Sequence, residues 1–235
     1  MTVTALEALS DNYIWLYQKD QNLVVVDPGE ALPVLDYLAN HEELHLTAIL
    51  LTHNHADHTG GVKEIVAVYP GTTVYGPEEC RAYATNIVHE GETIDLLDHK
   101  WEIMSVPGHT NGHIAYLVED KVFCGDALFM AGCGRVFTGD YQAQFETVNK
   151  FGQLADDTKV YAAHEYSDTN LRFAKEVDPS NSAVSKALKK VQQQRENNEP
   201  TLPSTIEIEK EINPFIRAND FDEFVQLRNK RDGFN

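Results

Sequence analysis

The chain has 235 residues, 42% of them apolar and 24% charged, with 37 acidic against 19 basic side chains and a net charge of −18. This describes an ordinary globular protein, long enough for one large domain or one domain with an appendage. So acidic a surface repels phosphate backbones, which excludes general nucleic-acid binding, and any anionic substrate needs cations of its own at the site.

Cys80, Cys124 and Cys133 are odd in number and lack metal-ligand spacing, so no disulfide framework is expected and a reducing compartment is. Met1-Thr2-Val3-Thr4 is not the basic-then-apolar start of a secretory leader, and no apolar run approaches the length of a membrane span. The reading is a cytoplasmic protein without a membrane partner.

In chain order, residues 3–9 and 12–18 form two strands around Ser10-Asp11, with Tyr13, Trp15 and Tyr17 alternating in the second. Residues 23–26 are a third strand, stopped by the turn signal Asp27-Pro28-Gly29. Leu32, Leu35, Leu38 and Ala39 give residues 31–40 a helical period. The apolar run 47–51 predicts a buried strand, 62–69 a helix after Gly60-Gly61, and 72–75 a short strand. The middle is β-rich: a strand at 101–106 runs into Pro107-Gly108-His109, and 113–118 and 121–124 form a hairpin across Glu119-Asp120. A helix at 145–154 and a strand at 159–163, ending at His164, follow. After Glu165 the character changes. Residues 171–177, 183–196, 205–212 and 221–231 favour helix, punctuated by Asp178-Pro179, Glu199-Pro200, Leu202-Pro203 and Asn213-Pro214. This gives a β-rich catalytic domain over 1–165 and a small helical domain over 166–235.

The chemistry concentrates in Thr52-His53-Asn54-His55-Ala56-Asp57-His58, directly after the buried run Ala48-Ile49-Leu50-Leu51. Imidazole and carboxylate are good ligands for Zn, Mn and Fe. Positions i, i+2, i+4 and i+5 scatter around a helix, so only a loop past a strand end converges them. Asp57 and His58, being adjacent, suggest two ions, with His53 and His55 on one and Asp57 and His58 on the other. His109, Asp126 and His164 each follow an apolar strand into a loop. If those strand ends share one sheet edge, all seven side chains converge. Asp126 as a bridge then leaves each ion a position for water. His113 is read as a supporting residue, and His41, His45, His89 and His99 are expected at the surface.

These motifs, with Pro107-Gly108-His109-Thr110 and Gly125-Asp126, resemble the metallo-β-lactamase superfamily. Asp126-Ala127-Leu128-Phe129, Gly132-Cys133-Gly134-Arg135, His164-Glu165-Tyr166, Thr201-Leu202-Pro203-Ser204-Thr205 and the end Arg228-Asn229-Lys230-Arg231 resemble, more narrowly, the glyoxalase II family of hydroxyacylglutathione hydrolases. The resemblance implies an α+β fold, an αββα sandwich with a small all-helical C-terminal domain. It implies a binuclear site with His53, His55 and His109 on one divalent ion, Asp57, His58 and His164 on the other, and Asp126 between them. The ions are expected to be Zn, with Fe or Mn as alternatives, and Asp57 and Asp126 belong to the catalytic machinery. Arg135, Phe137, Tyr166, Arg228 and Arg231 are implied to bind the glutathione part of the substrate. The segment Val136-Phe137-Thr138-Gly139-Asp140 departs from the Glu-Gly-Thr or Glu-Gly-Ser ending of many members.

The implied reaction is hydrolysis of S-(2-hydroxyacyl)glutathione thioesters, such as S-lactoylglutathione, by a hydroxide bridging the metals in a monomer. A single-iron sulfur dioxygenase acting on a glutathione-derived substrate is the first rival, disfavoured by a complete second ligand set. Other hydrolases of the superfamily, and a non-catalytic metal-binding protein, are the remaining alternatives.

Overall fold

Strands β1 (Thr2–Ala8), β2 (Asn12–Lys19), β3 (Asn22–Val26), β4 (His45–Leu50), β5 (Thr73–Gly76) and β6 (Asn86–Ile87) form one sheet in chain order. Pairing is antiparallel across β1, β2 and β3 and parallel from β3 to β6. Parallel neighbours need crossovers, supplied by α1 (Leu32–Ala39) between β3 and β4, by α2 (Ala56–Thr59) with α3 (Val62–Val68) between β4 and β5, and by a 3-10 turn at Glu78–Cys80 between β5 and β6. One face of the sheet packs Ile14, Leu16, Val25 and Ile49 with Val34 and Leu38 of α1 and Val62 and Ile65 of α3. Tyr13, Trp15 and Tyr17 alternate with Ile14 and Leu16 along β2, and the strand is buried on both faces. Tyr17 meets Trp101 edge-on at 4.8 Å between ring centroids. Trp101 lies in β8 (His99–Ser105), which pairs antiparallel with β7 (Thr93–Leu96) and β9 (Ile114–Val118).

The computed structural model describes residues 1–234 in two compact units, one of Met1–Ser105 with Gly112–Glu119, the other of Val106–Asn111 with the chain from Asp120 onward. In the second unit β10 (Lys121–Gly125) is followed by the short strands β11 (Leu128–Phe129) and β12 (Gly132–Cys133), then by α4 (Tyr141–Gly152) and β13 (Lys159–Ala162). Helices α5 (Ser167–Val177) and α6 (Ser182–Glu196), strand β14 (Ser204–Thr205) and helices α7 (Ile206–Ile212) and α8 (Phe221–Asp232) complete it. β13 pairs parallel with β10 and antiparallel with β14. Cys133, Val148, Phe173, Phe215, Phe224 and Leu227 form its helical core. The helical residues after 166 share this compact unit with β10 and β13.

Helix α4 starts at Tyr141 because the Asp140 carboxylate accepts a hydrogen bond from the Ala143 N–H and caps it. Apolar spacing, which a polar first turn lacks, puts the start at 145. Strands β6, β11, β12 and β14 have two residues each and leave no periodic signal.

Candidate active site

Within the first unit, β4 delivers the histidine loop, and Tyr116 Oη donates to the Leu51 carbonyl at 2.9 Å to hold the strand end. His53, His58 and His113 are fully buried, Asp27 nearly so, and His55 and Asp57 are half-buried. Asp27 orders the loop. Its Oδ1 accepts from the Thr52 N–H at 2.8 Å, and its Oδ2 accepts from Thr52 Oγ1 at 2.7 Å and His58 Nδ1 at 3.0 Å. Because the Thr52 hydroxyl spends its proton on Asp27, it accepts from His53 Nδ1 at 3.0 Å. Both rings are thus held as Nδ1–H tautomers, leaving Nε2 as the electron-pair donor. His53 Nε2 lies 3.1 Å from His55 Nδ1, and His58 Nε2 lies 3.5 Å from Asp57 Oδ2. The His113 ring stacks on His53 at 4.4 Å.

Asn12 fixes Asp57 by donating from Nδ2 to its carbonyl at 3.2 Å and to Oδ2 at 3.3 Å. The turn Asp27-Pro28-Gly29 runs so close beneath that a Cβ on Gly29 would sit 1.9 Å from the Asp57 carbonyl oxygen. Only glycine allows that approach. Asp27 and Thr52 have the geometry of ligand-orienting groups, and neither stands out in the sequence, where Asp27 reads as a turn residue.

In the second unit His109, Asp126 and His164 come together and are all buried. His109 Nδ1 donates to the Arg135 carbonyl at 2.9 Å, which again turns Nε2 outward. That Nε2 lies 3.3 Å from Asp126 Oδ2, and His164 Nε2 lies 3.3 Å from Asp126 Oδ1. One carboxylate thus faces an imidazole with each oxygen. Imidazole nitrogen and carboxylate oxygen form a donor set that suits divalent Zn, Fe or Mn, and the buried rings, His109 oriented by the Arg135 carbonyl and His164 stacked on Tyr166, fit a metal centre.

The same unit holds a cleft of about 160 Å³ lined by Phe129, Cys133, Arg135, Tyr166, Arg228 and Arg231, together with Asn170 and Asp232. Tyr166 stacks on the His164 ring at 4.7 Å, nearly parallel. Phe137 is 63% exposed, with its ring 5.3 Å from His109 and the Arg135 guanidinium 5.7 Å over it. Arg228 is buried. Its Nη1 donates to the Cys133 carbonyl at 2.6 Å, its Nη2 to Asp232 at 2.9 Å, and its guanidinium lies 5.1 Å over the Phe215 ring. Arg231 Nε donates to Asn170 Oδ1 at 3.1 Å. Burial and the neighbouring Arg228 cation both lower the Arg231 pKa. The unusual Val136–Asp140 segment is well seated: Thr138 Oγ1 donates to the Gly108 carbonyl at 2.7 Å and accepts from the Asp140 N–H at 3.1 Å.

His45 and His89 are exposed, but His41 and His99 are half-buried, His41 stacked on Tyr37 at 4.3 Å and His99 edge-on to Tyr17 at 6.3 Å. Polar neighbours in sequence do not reveal an aromatic partner in space. The three cysteines are free and buried, and burial pushes each thiol up in pKa, most effectively for Cys80 and Cys124, while Arg228 offsets part of the effect at Cys133. None is a poised nucleophile.

A model of the metallo-β-lactamase superfamily matches residues 9–164, and a model of the hydroxyacylglutathione hydrolase C-terminus matches residues 165–234. The chain is 49% identical over 235 residues to a hydroxyacylglutathione hydrolase of Glaesserella parasuis serovar 5, with 100% of both chains covered. It is 47% identical to one of Haemophilus ducreyi, again over 235 residues and 100% of both. Among solved structures it is similar to ETHE1 from Myxococcus xanthus, with a TM-score of 0.74 at 24% identity, covering 97% of this chain and 90% of that one. At that identity the likeness is one of fold. The superfamily match over residues 9–164, with the histidine loop, defines a metallohydrolase of the metallo-β-lactamase superfamily. Within it, the chain belongs to the hydroxyacylglutathione hydrolase family.

Proposed function

We propose that the protein hydrolyses S-(2-hydroxyacyl)glutathione thioesters, S-lactoylglutathione among them, to glutathione and a 2-hydroxy acid. The observation that carries this reading is the full-length match at 49% identity, which spans the metal-ligand motifs and the C-terminal segment together. A cleft with three arginines in a chain of net charge −18 supports it, since the glutathione carboxylates require local cations.

In this reading His53, His55 and His109 hold one divalent ion, Asp57, His58 and His164 hold the other, and Asp126 serves both. Zn is the first choice for the ions and Fe or Mn the alternatives, because such ligand sets do not select sharply among them. When bound, the ions supply a water acidified toward neutral pH and an electrophile for the thioester carbonyl. The residues do the rest. Asp27 and Thr52 hold the imidazoles in the donor tautomer, and Asn12 holds the Asp57 carboxylate. Arg135 and Arg231 face the substrate carboxylates, Phe137 and Tyr166 pack against the peptide, and Arg228 sets the cleft wall while adding charge. A thiol has a pKa of about 8.5, so the glutathione thiolate leaves without obligatory protonation, and no acid at the sulfur is required.

The catalytic domain is taken as residues 1–165 and the substrate-binding domain as 166–235. A cytoplasmic monomer fits three free cysteines and a chain that carries every proposed ligand itself. Among the described residues no helix is long and apolar enough to cross a membrane. The test is thioester hydrolysis by purified protein of known metal content. Turnover of S-lactoylglutathione that disappears with the metal and returns on reloading supports the reading, and turnover independent of metal overturns it.

A further inference from the structure

The cleft wall formed by residues 128–133 is too small to hold its own shape. Strands β11 and β12 share only the pairs Leu128–Cys133 and Phe129–Gly132, and an isolated two-stranded hairpin is at best marginally stable. Its turn residue Ala131 has φ of 53°, a left-handed conformation that L residues other than Asn and Asp seldom adopt. Yet this hairpin presents Phe129 and Cys133 to the cleft.

Two polar residues of the C-terminal segment supply what the hairpin lacks. Glu209 and Asn213 stand four apart, one in α7 and one at its C-cap, and both are fully buried. Glu209 Oε2 accepts from the Ala131 N–H at 2.9 Å and from Asn213 Nδ2 at 2.9 Å. Asn213 Nδ2 also donates to the Gly132 carbonyl at 2.9 Å and to the Phe129 carbonyl at 3.3 Å, while its Oδ1 accepts from the Phe215 N–H at 3.0 Å. The pair therefore takes up three main-chain groups of one turn, including the N–H of its strained residue. Burying a carboxyl group is costly unless hydrogen bonds satisfy it. The helix could bury an apolar side chain at lower cost if packing were all that was needed.

We propose that Glu209 and Asn213 are positioning residues for the substrate: they latch the 128–133 turn and thereby set the wall of the cleft that takes the glutathione part of the thioester. Neither touches the reacting atoms. The proposal rests on the reading of this cleft as the glutathione site. Glu209→Ala leaves the Ala131 N–H without its acceptor and removes one of the three acceptors of the Asn213 amide, so the turn relaxes. Glu209→Gln places an amide oxygen where Oε2 sits and keeps both bonds.

The experiment compares Glu209→Ala, Glu209→Gln and Asn213→Ala with the parent, all metal-loaded, on S-lactoylglutathione and on a short lactoyl thioester without the peptide. Amide hydrogen exchange at Ala131 is followed on the same samples. The expected result is a KM for the glutathione thioester raised roughly tenfold in the two alanine variants. Their kcat and their activity on the short thioester change little, Ala131 loses protection in Glu209→Ala, and Glu209→Gln retains both the parent KM and protection. If Glu209→Ala does not fold, Asn213→Ala, which removes the donor to the Phe129 and Gly132 carbonyls, makes the KM comparison against Glu209→Gln, and an unchanged KM there overturns the proposal. Unchanged KM with lost protection overturns the positioning role, as does equal loss on both substrates. Retained protection at Ala131 in Glu209→Ala overturns the latch itself. A parent protein that does not prefer the glutathione thioester refutes the reading of the cleft, and the exchange measurement still decides the latch.

Discussion

Asp27 and His58 share a buried hydrogen bond of 3.0 Å from the imidazole Nδ1 to the carboxylate Oδ2. The same oxygen accepts from the Thr52 hydroxyl, which in turn accepts from His53 Nδ1, so one carboxylate sets the tautomer of two imidazoles. Asp27→Asn keeps the shape but turns an amide into the position of an acceptor. Outer partners of this kind are worth about 10- to 100-fold in metal affinity. Metal retention during dialysis against a chelator is expected to fall by that order, with the chain still folded by circular dichroism. Retention equal to the parent would remove Asp27 from the centre.

Asp126 lies 3.3 Å from both His109 Nε2 and His164 Nε2. Asp126→Ala removes the negative charge that two cations are proposed to share, so metal content is expected to drop from about two ions to less than one, with turnover lost. His164→Ala is expected to keep about one ion. Full metal content and normal kcat in Asp126→Ala would show that it bridges nothing.

Arg228 and Arg231 face one cleft at different depths. Arg228 is buried and bonded to the Cys133 carbonyl and to Asp232, whereas Arg231 is half-buried and bonded to Asn170. Arg231→Ala is expected to raise KM for the glutathione thioester roughly tenfold at nearly constant kcat and unchanged stability, the pattern of lost uniform binding. Arg228→Ala is expected to raise KM and to cost about 1–3 kcal/mol of stability as well, because it leaves a buried carbonyl without its donor. Chemical denaturation beside steady-state kinetics separates the two, and equal stability of both variants would contradict the difference in depth.

Much of this site is legible in the sequence. Apolar runs ending in His53, His109, Asp126 and His164 announce strands that deliver the proposed ligands, because burial and the strand period leave direct traces. The supporting groups leave none. Asp27 sits in Asp-Pro-Gly, which reads as a turn on its own. Glu209 sits between Glu207 and Glu211 and looks like part of a solvated face, yet it is fully buried. The i, i+3 spacing of Arg228 and Arg231 gives a shared helix face and says nothing of depth. The β11–β12 hairpin is too short for any periodic pattern.

Burial pushes the Glu209 carboxyl up from 4.5 to about 7, against the pull of Ser204, Asn213 and the Ala131 N–H. Cys124 lies close enough to interact with it, a thiol itself raised by burial and therefore neutral. The folded chain holds this proton more tightly than the unfolded one. Its contribution favours folding below pH 4.5 and is withdrawn as pH rises through about 7. The difference is on the order of 3 kcal/mol, and Glu209→Gln is expected to abolish it. Denaturation midpoints at several pH values check this, and an identical pH dependence in parent and Glu209→Gln would refute it.

The most direct test of the whole account is steady-state hydrolysis of S-lactoylglutathione and of a lactoyl thioester lacking the peptide, on one preparation stripped of metal and reloaded in steps. The account predicts that kcat rises with metal content to a plateau near two ions per chain, and that kcat/KM favours the glutathione thioester by about tenfold or more. Activity that survives complete removal of metal, or equal kcat/KM on the two thioesters, would contradict it.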